Sequence, residues 1–256
     1  MKTCVQMFTL YTQTREKRKS SMTKIKENYS REVQLTLHAA TSLGNAVKSR
    51  SNLPQVLTEL TTINGFSGRK FRLFMNNIAS KKDLNYLEVG VFCGSTIVSA
   101  LFNNIDKIGA VYAIDNWSEF KDYVDPKETF YSNINKWLPD HDKKLNIMEG
   151  DCFSIDKSQI DQKINLYFYD GPHTEEDHRN AFLYYDDVFD DVFIAIVDDW
   201  IRERVRIGTK SAFEELNYKI VAEWIVEPDN FDGLKGADQP DLDWWNGVYI
   251  AIIKKK

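Results

Sequence analysis

The feature that most constrains this chain is an alternation, from residue 84 onward, of strand-like apolar runs with stretches of helical periodicity. This order predicts β-α-β crossovers, and therefore an α/β protein whose mainly parallel sheet is covered on both faces. The predicted strands cover residues 84–89, 110–114, 145–148, 164–169 and 192–197. The predicted helices cover 95–103, 119–137 (interrupted at Pro126), 174–188 and 205–216, with a short turn or helix at 154–160.

The last two predicted strands break this alternation. Residues 219–226 and 248–253 have no helical pattern between them, so they predict a closing antiparallel hairpin. The long loop between these strands is polar and carries Phe231, Trp244 and Trp245, which could line a substrate pocket, pack on the core or form a dimer interface.

The N-terminal third has weaker patterns. Residues 1–30 lack periodicity and predict a flexible basic tail. Residues 31–82 predict a helical extension, with helices at 54–61 and 69–79. We find no linker after residue 84, so residues 83–256 are predicted to form one domain.

Charge and composition exclude several classes of protein. The net charge is −5, although the first 30 residues hold seven basic and two acidic side chains, so the remainder is clearly acidic. An acidic body argues against nucleic-acid binding, and the basic run at 15–19 is best interpreted as a solvated tail. The chain has no apolar stretch of membrane-spanning length and only three cysteines, which favours a cytoplasmic protein with no membrane partner.

The most informative motif follows the first strand, where Glu88, Gly90, Gly94 and Ser95 form a Glu-x-Gly-x-x-x-Gly turn that leads into a helix. Ligands of open α/β sheets bind beyond the carboxyl ends of the strands, and a glycine there allows close approach. The glycine spacing differs from that of a pyrophosphate-binding loop, so a nicotinamide enzyme is disfavoured.

Two further strand ends carry acidic residues. Asp115 ends the second strand and is placed to accept hydrogen bonds from a ribose diol, while Asn116 and Trp117 follow it, the latter as a cover for a base. Asp151 and Cys152 follow the third strand. Buried carboxylates cost desolvation energy unless something uses them, so the set predicts a ligand at this edge of the sheet.

The ends of the fourth and fifth strands predict a metal centre. Asp170 and His173 follow the fourth strand, and Asp198 and Asp199 follow the fifth. Three carboxylates in one place repel each other unless a cation or proton intervenes, and oxygen ligands suit Mg²⁺. His173 could then take the proton of a hydroxyl group, whereas His178 is predicted to be a surface helix residue.

From about residue 84 to residue 254, the sequence resembles class I S-adenosylmethionine-dependent methyltransferases, and within them the metal-dependent, macrocin-type O-methyltransferases. The resemblance implies a Rossmann-like seven-stranded sheet. It also implies a cofactor site at the first turn, Asp115, Asp151 and Cys152, with Asp170 beside it. Asp170, His173, Asp198 and Asp199 match the metal ligands and general base, and Pro172 is a departure from the usual turn.

The expected function is therefore methyl transfer from S-adenosylmethionine to a hydroxyl group of a small molecule or sugar, assisted by Mg²⁺. Two alternatives remain open. One is a metal-independent methyltransferase that acts on another acceptor. The other is a non-catalytic module that binds S-adenosylmethionine or a nucleotide. The sequence also leaves open whether the chain forms a homo-oligomer.

Overall fold

The computed structural model describes residues 29–48, 62–139, 144–228 and 243–256. Most of the predicted tail, the helix at 54–61 and Phe231 lie outside these residues. The strands are β1 (Tyr86–Val89), β2 (Val111–Asp115), β3 (Leu145–Glu149), β4 (Ile164–Tyr169), β5 (Phe189–Val197), β6 (Lys219–Val226) and β7 (Val248–Lys254). The helices are α1 (Arg31–Val47), α2 (Arg69–Ile78), α3 (Ser95–Leu101), α4 (Pro126–Trp137), α5 (Glu175–Leu183) and α6 (Glu203–Glu215).

The seven strands form one sheet in the order β3-β2-β1-β4-β5-β7-β6. All neighbouring pairs are parallel except those that involve β7, which runs antiparallel to both β5 and β6. This confirms the Rossmann-like sheet with a closing hairpin. The order reverses direction at β1 and β4, where a crevice forms beyond the carboxyl ends of the strands in sheets of this kind.

Some helix boundaries differ from those predicted. The helix predicted at 119–137 starts only at Pro126, because the Asp125 side chain caps it and proline suits a first helical turn. The helix predicted at 174–188 ends at Leu183 and is followed by a separate 3₁₀ turn, Asp186–Val188. The stretch at 154–160 contains only the short 3₁₀ helix Lys157–Gln159.

The two N-terminal helices pack on the sheet. Leu35 of α1 and Phe71 of α2 are buried in the same hydrophobic cluster as Phe168 of β4, and the Phe71 and Phe168 rings are 5.2 Å apart. A second cluster, centred on Tyr167, Phe182 and Phe193, fills the opposite face. The sheet is therefore covered on both sides, and residues 62–82 share its core. None of the helices in the described ranges is both long and apolar enough to cross a membrane.

Candidate functional site

A cavity of about 470 Å³ opens beyond the carboxyl ends of the parallel strands. The sequence-predicted residues that line it are Gly90, Ser95, Asp115, Asn116, Trp117, Asp151, Cys152, Asp170, His173, Asp198 and Asp199. The fold thus brings together side chains that lie more than a hundred residues apart in sequence. Glu88 and Gly94 are the two predicted site residues that do not line the cavity wall.

The turn after β1 makes room for this cavity through a glycine. Gly90 has φ +86°, and a Cβ atom at this position would lie 2.0 Å from the carbonyl oxygen of Asp170. A side chain here would therefore force β1 and β4 apart. Gly94 also adopts a left-handed conformation, at the start of α3, where it faces Phe130.

Glu88 supports the turn from inside the core. Its side chain is fully buried, and it accepts hydrogen bonds from the Tyr86 hydroxyl and from the Thr96 hydroxyl in the first turn of α3. Burial raises the pKa of Glu88 to about 8, although these two hydrogen bonds oppose the shift. Glu88 therefore positions α3 beside the cavity rather than forming its wall.

Asp115 organises the next loop. Its two carboxylate oxygens accept the backbone N–H groups of Phe92 (2.8 Å) and Trp117 (2.6 Å). Each oxygen keeps a lone pair that a ligand hydroxyl can use. Asn116 is exposed, whereas Trp117 is only 3% exposed, because its indole packs on Phe130 and donates to the Phe92 carbonyl.

The segment after β3 forms another part of the wall. Asp151 is exposed, and its carboxylate accepts the Phe153 N–H at 2.8 Å. Cys152 is half-buried, and desolvation raises the pKa of its thiol to about 12, so the thiol is protonated and apolar at neutral pH. The Phe153 and Tyr169 rings stack 6.5 Å apart. Together these groups offer an apolar surface next to hydrogen-bonding groups.

The structure assembles the predicted acidic and histidine group. His173 Nε2 lies 3.1 Å from Asp199 Oδ2 and 3.6 Å from Asp170 Oδ1. The carboxyls of Asp170 and Asp198 lie close enough for each to influence the ionisation of the other. Burial and the neighbouring carboxylates raise the pKa of both Asp170 and Asp198 well above its usual value. This pair therefore holds a proton or requires a cation.

Asp199 differs from its neighbours because other side chains already balance its charge. Arg202 Nε lies 2.7 Å from Asp199 Oδ2, and the Asn246 amide donates to Asp199 Oδ1 at 2.7 Å. Sequence reasoning missed Asn246, because it lies in the irregular segment before β7, far from any motif. The predicted set of three carboxylates thus divides into Asp199, which pairs with Arg202, and the Asp170–Asp198 pair. We call this pair uncompensated because no Lys or Arg in the described ranges forms an ion pair with it, although His173 Nε2 lies 3.6 Å from Asp170.

The donor chemistry of the Asp170–Asp198 pair fits a hard divalent cation, which one or two carboxylates and several waters can hold. The described residues contain no group of three or more His, Cys, Asp or Glu side chains arranged to hold a metal ion. Any such ion would therefore use the two uncompensated carboxylates first, and using Asp199 would require displacing the guanidinium group of Arg202.

The prediction for His178 is wrong. His178 is only 1% exposed, because the face of α5 that carries it packs against α6 beside Gly208. Neither ring nitrogen has a hydrogen-bond partner in the part of the chain that the structure describes. Burial lowers the pKa of His178 to about 3, so the ring is neutral, and it lies 5.8 Å from the His173 ring.

Four aromatic rings, which we call the aromatic cluster, line the cavity mouth: Phe66, Phe92, Phe120 and Trp245. Of these four rings, the sequence analysis named only Trp245, which it grouped with Phe231 and Trp244 as residues that could line a pocket, pack on the core or form an interface. Trp244 is buried in the core at 4% exposure. The other three lie in irregular segments with no periodicity, so no sequence signal brought them together.

Comparison with known proteins agrees with this arrangement. Residues 87–200 match the sequence model of a methyltransferase domain. No sequence among the curated proteins compared matches the chain. The matched segment runs from β1 to the turn after β5, so it contains every site residue that the sequence predicted.

Solved structures share the fold at low sequence identity. An O-methyltransferase from Bacillus cereus, in complex with S-adenosylhomocysteine, is 12% identical (TM-score 0.53; 84% of this chain and 91% of that chain). The O-methyltransferase TomG from Streptomyces achromogenes, bound to S-adenosylmethionine, is 13% identical (TM-score 0.53; 83% and 89%). A candidate RNA methyltransferase from Pyrococcus horikoshii is 12% identical (TM-score 0.52; 78% and 96%).

The buried Glu88 predicts a pH dependence of stability. Because its pKa rises from 4.5 to about 8 on folding, the folded state holds this proton more tightly. The contribution of Glu88 to the free energy of unfolding is fully present below pH 4.5. It is lost as the pH rises towards 8, by at most about 1.4 kcal/mol per pH unit. We expect Glu88→Gln, which mimics the protonated carboxyl, to flatten this decline in urea denaturation between pH 5 and 8.

The matched control is Glu119→Gln, since Glu119 lines the same cavity but is exposed. This variant should keep the wild-type slope. Equal slopes for the wild type and Glu88→Gln would contradict the assignment of a raised pKa to Glu88.

Proposed function

We propose that this chain transfers a methyl group from S-adenosylmethionine to a hydroxyl oxygen of a small molecule, with assistance from Mg²⁺. The match of residues 87–200 to the sequence model of a methyltransferase domain, and the fold shared with O-methyltransferases, support this proposal. The observation that carries the proposal is the position of His173. This imidazole lies within 3.6 Å of two carboxylates in the cavity that the Gly90 turn also lines.

The proposed donor site runs from the Gly90 turn to Asp151. S-adenosylmethionine supplies a methyl group on a positively charged sulfur, which suits an acidic cavity. Gly90 allows the donor to approach the backbone closely, and the free lone pairs of Asp115 accept the ribose hydroxyls. The protonated Cys152 thiol and the Phe153 ring provide the apolar surface for the base.

The proposed role of His173 is to take the proton of the acceptor hydroxyl. The acceptor oxygen forms the new C–O bond as the S–CH₃ bond of the donor breaks and S-adenosylhomocysteine leaves with the electron pair. The acceptor loses its proton in this step, and an imidazole within reach can take it. Asp199, fixed by Arg202 and Asn246, orients His173. The enzyme then needs only to align the two reactants and exclude water.

The proposed metal ligands are Asp170 and Asp198, with Asp199 as a third if Arg202 moves. Mg²⁺ would supply positive charge next to the acceptor oxygen and thereby lower the pKa of the hydroxyl. The support for this proposal is the uncompensated carboxylate pair, whose pKa values are raised by burial and by mutual repulsion.

One observation favours the metal-independent alternative. Arg202 already neutralises Asp199, and a single shared proton can neutralise the Asp170–Asp198 pair. In that case His173 alone would activate the acceptor, and the carboxylates would serve to hold the His173 side chain in place.

The donor assignment predicts binding of S-adenosylmethionine. We expect calorimetry to detect it, and Asp115→Ala to weaken it about tenfold to a hundredfold, because charge-assisted hydrogen bonds are lost. Asp122→Ala, which removes an exposed acid from the same loop, should bind like the wild type. Thermal denaturation checks that Asp115→Ala is folded, and a wild-type protein that does not bind the donor would overturn the proposal.

The role of His173 predicts a separation of binding from catalysis. We expect His173→Ala to reduce kcat by about 10²–10⁴-fold while its affinity for S-adenosylmethionine stays at the wild-type value. The measurement is S-adenosylhomocysteine release with a hydroxylated acceptor that supports turnover. A wild type that binds the donor but turns over no hydroxylated acceptor would instead favour the non-catalytic module.

The metal assignment predicts that EDTA abolishes turnover and that Mg²⁺ restores it. In calorimetry, Asp198→Asn should bind Mg²⁺ at least about tenfold more weakly, because one of its two anionic ligands is lost. Asp122→Asn is the matched control and should not change Mg²⁺ binding. Full activity in EDTA would support the metal-independent alternative.

A further inference from the structure

We propose that the aromatic cluster is the acceptor subsite and that it selects a flat, apolar ring. The acceptor is then a phenol, with its hydroxyl group on an aromatic ring, rather than a sugar. The inference rests on the proposed function, because that function places a hydroxyl-bearing acceptor in this cavity. The residues of the aromatic cluster would then determine which class of acceptor binds.

The rings of the cluster are in mutual contact. The Phe66 ring stacks on Phe92, with centroids 5.2 Å apart and planes 14° apart. Phe120 meets both rings edge-on, at 5.3 Å and 5.5 Å, and Trp245 lies 5.9 Å from Phe66. Face and edge contacts at these distances are typical of favourable aromatic packing. The cluster therefore presents a continuous aromatic surface to the cavity.

The cluster retains exposed apolar surface that a ligand can cover. Phe66 is 46% exposed and Phe120 is 44% exposed, although both line a cavity. Exposed phenylalanine in a concave site is unfavourable in water, and burial under an apolar ligand recovers that free energy. The matching ligand surface is apolar and flat, because Phe66 and Phe120 offer ring surfaces without hydrogen-bonding groups.

The backbone holds three of the rings in unusual conformations. Phe92, Phe120 and Trp245 have φ values of +45°, +60° and +56°. Residues with bulky side chains adopt this left-handed region at an energetic cost, and they do so mainly where the surroundings fix them. Three such residues in one cluster, from three separate loops, indicate a surface that the fold holds in place.

The N-terminal segment fixes the fourth ring. Arg72 of α2 is 5% exposed and donates hydrogen bonds to the carbonyls of Ile63, Gly65 and Ser67. The Ser67 hydroxyl is 3.0 Å from that of Ser95, at the start of α3. The loop that carries Phe66 is thus tied to both α2 and α3, which gives the helical extension a direct role in the pocket.

The backbone connects the cluster to both sides of the proposed reaction site. Phe92 donates its N–H to Asp115, on the donor side. Trp245 immediately precedes Asn246, which holds Asp199 beside His173, on the acid side. The four rings, Asp115 and His173 line one cavity, so an acceptor ring on this surface would share that cavity with the donor and the proton acceptor.

A sugar would fit this surface less well. A sugar ring is puckered and carries several hydroxyl groups, each of which needs a polar partner when it is buried. Two polar groups of the cavity wall already have partners within the protein: the Ser67 hydroxyl accepts a hydrogen bond from Arg72, and the Asn116 side-chain oxygen accepts one from the Ser118 N–H. A flat ring with one hydroxyl group needs only one polar partner when it is buried, and His173 can provide it.

The test uses 2-naphthol and its saturated analogue decahydro-2-naphthol, which carry the same hydroxyl on a flat and on a puckered ring system. The full-length protein is titrated with 2-naphthol, alone and with S-adenosylhomocysteine, and binding is followed by naphthol fluorescence anisotropy. The saturated analogue is then added as a competitor. We expect 2-naphthol to bind, and the analogue to bind about fivefold more weakly or worse.

Alanine variants of the aromatic cluster test whether these rings form the surface that binds 2-naphthol. Phe66→Ala and Phe120→Ala should each weaken 2-naphthol binding by roughly threefold to tenfold and leave the affinity for S-adenosylhomocysteine unchanged. Tyr123→Ala is the matched control, because Tyr123 is 85% exposed and lies outside both the cluster and the cavity wall. It should bind both ligands like the wild type. Using two cluster variants keeps the test valid if one of them fails to fold.

Three results would overturn the inference: equal affinity for the flat and puckered probes, an equal loss in Tyr123→Ala, or a loss of S-adenosylhomocysteine affinity in the cluster variants as large as the loss for 2-naphthol. The last result would show that the rings cover the donor instead. A wild type that binds no S-adenosylhomocysteine would contradict the proposed function, and the titration of 2-naphthol alone would still decide whether the aromatic subsite exists.

Discussion

The close approach of the β1 turn to the end of β4 is the contact on which the site depends. Gly90 packs so tightly against the Asp170 carbonyl that any side chain there would collide with it. Since Asp170 opens the turn that leads to His173, this one contact sets the distance between the Gly90 turn and the acidic group. Glu88, buried behind it and hydrogen-bonded to α3, keeps the same turn rigid from the core side.

The carboxylates of the site fall into two groups that differ in their charge partners. Asp199 is balanced by Arg202, Asn246 and His173, so it acts as a fixed anchor. No Lys or Arg in the described part of the chain forms an ion pair with Asp170 or Asp198, and burial together with the neighbouring carboxylates raises the pKa of both groups. The Asp170–Asp198 pair can take up a proton or a cation when a ligand binds beside it. The ion pair between Asp199 and Arg202 is already neutral and has no such freedom. This division suits a site where one carboxylate orients a base and two others meet the reactants.

The sequence predicted the sheet and the acidic strand ends well, because both depend on local patterns. Alternating apolar runs reveal strands, and the carboxyl ends of parallel strands must meet at one edge, so the sequence alone predicted that Asp115, Asp151 and Asp170 lie at the same edge of the sheet. Features that depend on packing between distant segments were missed. His178 was predicted to be on the surface because its helix is polar in sequence, whereas contact with α6 buries it. Asn246 and the rings of Phe66 and Phe120 lie in irregular segments, and only tertiary structure brings them to the cavity.

The origin of the aromatic cluster in four separate loops has a consequence for divergence within this fold. The residues proposed to hold the donor lie at strand ends and in the turn after β1, whereas Phe66, Phe120 and Trp245 lie in irregular segments that line the same cavity. Under the proposed function, substitutions of these three rings would change which acceptor fits and would leave the strand ends in place. Successive loop mutations would then exchange one acceptor for another on an unchanged sheet, in engineering as well as in evolution.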